Sequence, residues 1–132
     1  MIKAASDPAL KEALTLHRDE TAGQIEVLEQ LFENIGTRAK AEKCDAIDGI
    51  LDEGNALLED FGKTGAGDAA IVFSCQAVEH YEITRYGTLV AWAKQLGRED
   101  CAALLQQNLD DEYAADQKLS KMAESRINRK AA

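Results

Sequence analysis

The sequence predicts an all-α protein: an antiparallel bundle of three long helices joined through a shorter one. Three observations carry this. Only one of the 132 residues is proline, and Ala, Leu, Glu, Lys and Gln, all strong helix formers, are plentiful. Apolar residues recur alternately four and three apart, the spacing of one helical face, and not in the alternation of a strand. Glycine clusters or singlets at residues 36, 62–67 and 97 divide these runs. A chain of this length makes one domain with a core sufficient to fold unaided.

The first helix is announced by "SDPAL", where Asp7 is a good N-cap and Pro8 a good first helical residue. It should run to about Ile35 and stop at Gly36. Its seam is Leu10, Leu14, His17, Thr21, Gln24, Leu28, Leu31 and Ile35, widened by Ala13, Ile25 and Phe32. The middle turns of that seam are polar. "TRAKAEK" reads as a solvated connector, and a short helix from Asp45 to Phe61 follows, with Ile47, Ile50, Leu51, Leu57 and Leu58 enough to cover a bundle face. "GKTGAGD" breaks the chain again, with Asp68 placed to cap the third helix, about residues 67–96. Gly97 ends that helix and the fourth starts almost at once near Glu99, which predicts an antiparallel hairpin. The seam of the fourth helix is Leu105, Leu109, Glu112, Asp116, Leu119 and Ala123. One domain is expected over residues 1–125, and the basic tail from 126 to 132 is expected to fray.

A net charge of −9 repels phosphate backbones and anionic lipid, so nucleic acid and membrane surfaces are not expected partners, whereas cations are. No apolar run approaches the roughly 20 residues of a membrane span and no leader precedes the first helix, which leads to the expectation of a cytoplasmic protein. Cys44, Cys75 and Cys101 are isolated, without metal spacing, and are expected to be reduced. Cys75 and Cys101 lie on apolar faces as small hydrophobes. There is no phosphate loop, nucleophile–base pair or cofactor fingerprint.

The informative residues are acids on apolar seams. Glu79 shares a face with Val72, Ile83, Tyr86, Val90 and Ala93, and Glu82 lies at its edge; Glu112 and Asp116 interrupt the fourth seam. In a hairpin folded about Gly97, Glu82 is level with Glu112 and Glu79 with Asp116. At ~1.5 Å per residue, Glu20 and Glu79 each stand roughly 18 Å from their helix starts, level if those helices run parallel. Any one acid near a seam reads equally well as a solvated flank. As a set, buried unpaired carboxylates cost several kcal/mol each, so a counter-charge is expected. Lys and Arg fall at helix ends and outer faces, and a divalent cation remains. Oxygen ligands with at most one imidazole suit iron or manganese better than zinc. His17, one turn before Glu20, is either a ligand or a hydrogen-bonding core residue. His80 points away from Glu79, toward an outer role, and Tyr86 can bond to Glu82 one turn back.

The segments "LHRDETAGQIEVLEQLFE", "DAAIVFSCQAVEHYEITRYGTLVAWAKQLG" and "LLQQNLDDEYAADQKL" resemble the YciE/YciF family of ferritin-like stress proteins over nearly the whole chain. The resemblance implies a ferritin-like four-helix bundle with a short crossover helix, a homodimer, and a rubrerythrin-like carboxylate site in which Glu79 and Glu82 stand with Glu20 on one neighbour and Glu112 on the other. It also implies a further helix before Met1 that would supply one wall of the site, and the ExxH pairs of such sites are absent, since Gly23 and Ala115 follow Glu20 and Glu112 by three. Without that wall, an apolar strip including Leu14, Ile25, Leu28 and Phe32 is expected to drive self-association.

Two functions are expected from these readings. One is a di-iron or di-manganese carboxylate protein holding metal through Glu20, Glu79, Glu82, Glu112, Asp116 and His17, and oxidising Fe(II) with oxygen or peroxide. The other is a non-catalytic, dimerising helical protein of the stress response whose metal site is degenerate or empty.

Overall fold

The computed structural model describes all 132 residues. Helices α1 (Pro8–Asn34), α2 (Asp45–Phe61), α3 (Gly67–Gln95) and α4 (Glu99–Met122) follow one another, and a π-helical turn (Ala123–Ile127) leads into the short α5 (Asn128–Ala131). The punctuation acts as the sequence indicates. The carboxylate of Asp7 accepts from the N–H groups of Ala9 and Leu10, closing the open end of α1. Gly36 and Gly97 take φ of 73° and 69°, the left-handed conformation that ends α1 and α3 without a Cβ penalty.

α3 and α4 form the antiparallel hairpin. α1 lies against α4 with opposite direction, its end pinned where Arg98 donates to the carbonyl of Asn34 at 2.9 Å. α2 packs on the outer side of α3. α1 and α3 therefore run parallel, and their starts are locked together. Asp68 was expected to cap α3; instead Ala66 is the N-cap residue, and the Asp68 carboxylate reaches across to accept from Ser6 N, Ser6 Oγ and Asp7 N at 2.7, 2.6 and 3.0 Å. Cross-chain N–H donors satisfy the carboxylate better than its own helix, because the chain before α1 lies directly over it.

The tail also differs from expectation. Residues 123–131 continue as π turn and helix, with Ile127 in the core and Arg126 and Lys130 on Asp7 at 2.6 and 3.0 Å. Opposite charge at the α1 cap and a buried apolar side chain hold a segment that composition alone would leave loose. The apolar strip on α1 is narrower than expected, since Leu14 is buried and Leu28 and Phe32 are half-buried, leaving Ile25 56% exposed.

The interior is layered. Leu10, Leu14, Ile71, Val72, Leu119, Ala123 and Ile127 make one apolar cluster. Tyr86, Val90, Ala93, Cys101, Ala102, Leu105 and Leu109 make the other. Between them the three long helices each contribute polar side chains to the core: His17 and Gln24 from α1, Glu79 from α3, Asn108 and Glu112 from α4. Cys101 sits inside the second cluster and Cys75 packs against the first, and all three thiols are free.

Candidate metal centre

The polar layer brings Glu79 and Glu112 face to face across the α3–α4 hairpin, 1% and 0% exposed, with the half-buried imidazole of His17 completing the group from α1. One ligand atom from each of His17, Glu79 and Glu112 can be chosen so that all lie within 4.8 Å of one another. His17 Nε2 stands 3.2 Å from Glu79 Oε1, and its Nδ1 3.7 Å from Glu20 Oε2. The other oxygen of Glu79 and both oxygens of Glu112 have no hydrogen-bond partner, although they are shut away from water. Orphaned buried acceptors are rare in folded proteins and point to a missing proton or cation.

Helical rotation decides which acids meet. Seven residues along a helix return to within ~20° of the same face, whereas three residues leave the side chain turned ~60° away. Glu79 thus shares its direction with Val72 and Tyr86, and His17 shares its direction with Leu10 and Gln24. Glu82 and Glu20, three residues further along their helices, rotate outward. Glu82 is half-buried and outside the converging group, and Glu20 is 54% exposed. The clasp at Asp68 fixes the height of α1 so that His17, and not Glu20, is level with Glu79. Asp116 also leaves the group: its Oδ1 meets His80 Nε2 at 3.2 Å and Gln76 Nε2 at 2.9 Å on the outer side of the hairpin. The outward direction expected for His80 matches this pair. Of the six residues expected at the site, three come together.

The electrostatics follow from burial. Desolvation first, then the nearby Glu79 carboxyl, which becomes a hydrogen-bond partner only once Glu112 carries a proton, and the charges of Glu82 and Glu79 push Glu112 up from 4.5 to about 8. The hydrogen bond to Glu79 outweighs desolvation at His17 and raises it from 6.5 to about 9. Burial and the Glu79 charge push Glu82 up as well. Near neutral pH the cluster therefore holds a proton on His17 and one on Glu112, from which Glu112 can donate to Glu79. Both protons must leave if a cation is to take their place.

Sequence reasoning missed the layer next to this one. Asn108 Nδ2 donates to the carbonyl of Gln24 and to Tyr86 Oη at 3.3 and 3.2 Å. Tyr86, expected to bond Glu82, is thus held by α4. Burial opposes its ionisation and the Asn108 bond favours it, and burial prevails to raise its pKa. The signal was present: Asn108 is one turn from Glu112 and lies between Leu105 and Leu109. Cys44, exempt from any role in the sequence reading, faces Tyr81 Oη at 2.9 Å.

Fit to one cation can be judged on the donors. Two ligands of an ion bound at ~2.0–2.4 Å stand no more than ~4.8 Å apart, so the three atoms are close enough for a single ion with little adjustment. Carboxylate oxygens with one imidazole form a hard, mixed donor set suited to Fe(II) or Mn(II).

A profile of a domain of unknown function, DUF892, matches residues 1–132. Protein YciF of Escherichia coli (strain K12) is 40% identical over 132 residues, 99% of this chain and 80% of its own length. The crystal structure of the E. coli stress protein YciF superimposes with a TM-score of 0.89, covering 96% of this chain and 80% of that one. YcfI from Rhodopseudomonas palustris, described as a candidate structural protein, superimposes with a TM-score of 0.88 at 44% identity, covering 90% of this chain and 76% of that one. No helix is long and apolar enough to cross a membrane.

Proposed function

Because the chain belongs to the DUF892 family, as the "VEHYEI" block indicates, we propose that it serves the stress response like its YciF relative and binds a divalent metal between His17, Glu79 and Glu112. The observation that carries the proposal is the pair of buried carboxylates with three orphaned oxygens, opposed by one imidazole. Iron is the preferred ion, with manganese its alternative, since carboxylates favour hard ions and stabilise Fe(III) over Fe(II). Bound iron would supply one-electron chemistry toward oxygen or peroxide, and this makes Fe(II) oxidation the activity to assay.

The chain's own residues supply the rest. Glu79 and Glu112 provide charge, His17 provides a neutral nitrogen once deprotonated, and the flanking apolar clusters exclude bulk water. The converging donors are a one-ion set. A second ion, of the di-iron or di-manganese kind, would draw on Glu20 and Glu82 at its edges. Protein purified without chelator should contain about one metal ion per chain by emission spectrometry, and E79Q and E112Q should lose it while D116N keeps it. Metal-free wild-type protein that also fails to take up Fe(II) or Mn(II) would overturn the reading.

A second reading has its own support. The protons on His17 and Glu112 neutralise the layer without metal, so the cluster also suits a non-catalytic structural bundle. A homodimer is proposed under either reading. Leu89 and Trp92 in the last turns of α3 and Leu96 at its C-cap lie at helical spacing, and Trp92 and Leu96 are 62% and 77% exposed, an apolar strip that association would cover.

A further inference from the structure

We propose that the centre is served by a port between α1 and α4 that admits a ligand of one or two heavy atoms, water-sized and neutral or anionic, with Lys118 as its positioning residue. The inference rests on the metal reading. Glu79 and Glu112 are closed to solvent, yet a small void of about 20 Å³ reaches Glu79 and His17 from the α1–α4 side, bounded by Ala13, Glu20, Ala115 and Lys118. A void of ~10–15 Å³ already holds a water, so this one has room for one such molecule and not for an organic substrate.

Ala13 and Lys118 also line a wider surface groove of about 440 Å³, where Lys121 and Arg126 stand over an apolar floor that includes Leu16 and Met122. On a chain of net charge −9, this groove sets Lys118, Lys121 and Arg126 against one acid, Glu12, and with Arg126 already paired to Asp7 its cationic character comes from Lys118 and Lys121. The two lysines make this the side from which a small anion would approach the void. Lys118 is the residue common to groove and void, placed to orient a ligand arriving beside Glu79. Glu20 lines the same void.

The port is tested on the full chain loaded with Mn(II), with water-proton relaxation as the readout. Bound Mn(II) is counted separately by electron paramagnetic resonance. Wild type should show the enhanced relaxation of an exchangeable water on the ion, and fluoride should displace that water while benzoate does not. Filling the void by A115V, or by A115L, should abolish the exchange-dependent relaxation and leave Mn(II) bound. K118M should keep Mn(II) and weaken fluoride competition about fivefold, the effect of one surface-level charge. Relaxation unchanged in both alanine variants, loss of Mn(II) from both, or equal competition by benzoate would each overturn the port alone. Failure of wild type to bind Mn(II) would overturn the metal reading, and the port with it.

Discussion

Replacing Glu112 by Gln should stabilise the metal-free protein at neutral pH while removing a ligand of the proposed metal site. In the unfolded chain Glu112 ionises near 4.5, but in the folded protein it keeps its proton up to about 8. Folding therefore takes up a proton between those values, and stability falls as pH rises through that window. At pH 7, between those two values, the full cost would be on the order of 3 kcal/mol. Coupling to Glu79 and solvent at the half-open His17 reduce this to about 1–2 kcal/mol. Gln keeps the shape, carries no charge, and can offer an amide N–H to Glu79 in place of the Glu112 proton. Thermal melts with chelator should then show E112Q melting about 3–8 °C above wild type at pH 7. The gap should widen at pH 8 and close near pH 4.5. An equal or lower melting temperature at pH 7, or a gap independent of pH, would refute the reasoning and show that the carboxyl is already solvated or paired.

The other expectations use different parts of the molecule. His17, raised to about 9, stabilises the fold fully below about 6.5 and loses that contribution as pH rises toward 9; H17A should flatten the alkaline arm of a stability–pH curve measured by urea unfolding. E82Q should raise the melting temperature of the metal-free form by less than E112Q does, since Glu82 is half-buried. D7A removes the α1 cap and the anchor of Arg126 and Lys130, and should cost about 2–3 kcal/mol in urea melts, with faster hydrogen exchange in residues 123–131. Burial pushes Asp7 up, but Lys130, the Leu10 N–H and Arg126 together hold it below 3.8, so this stability is present above that value and lost as pH falls beneath it. W92K combined with L96K should convert a dimer to a monomer of about 14.4 kDa in sedimentation at micromolar concentration; a wild type already monomeric would remove the dimer proposal.

The sequence by itself determined the helices and where they end, because those signals are local. Asp7 with Pro8 starts α1, the left-handed glycines at 36 and 97 stop α1 and α3, and the seams at three- and four-residue spacing say which face of each helix turns inward. The same seams exposed the anomaly of Glu79 and Glu112, and the family was legible in the block around Glu79 and Glu82. Which acids converge was decided by tertiary structure. A seam read from periodicity fixes direction only to within a neighbouring residue or so, and the difference of ~60° between Glu79 and Glu82, or between His17 and Glu20, separates an interior carboxylate from a flanking one. The height of α1 was likewise set by a contact 61 and 62 residues distant in sequence, Asp68 on the N–H groups of Asp7 and Ser6, which no local pattern announces. Asp116 turned to His80, and the tail folded onto Asp7, for the same reason: a charged side chain takes the partner that packing brings within reach, and only the assembled bundle establishes which partner that is.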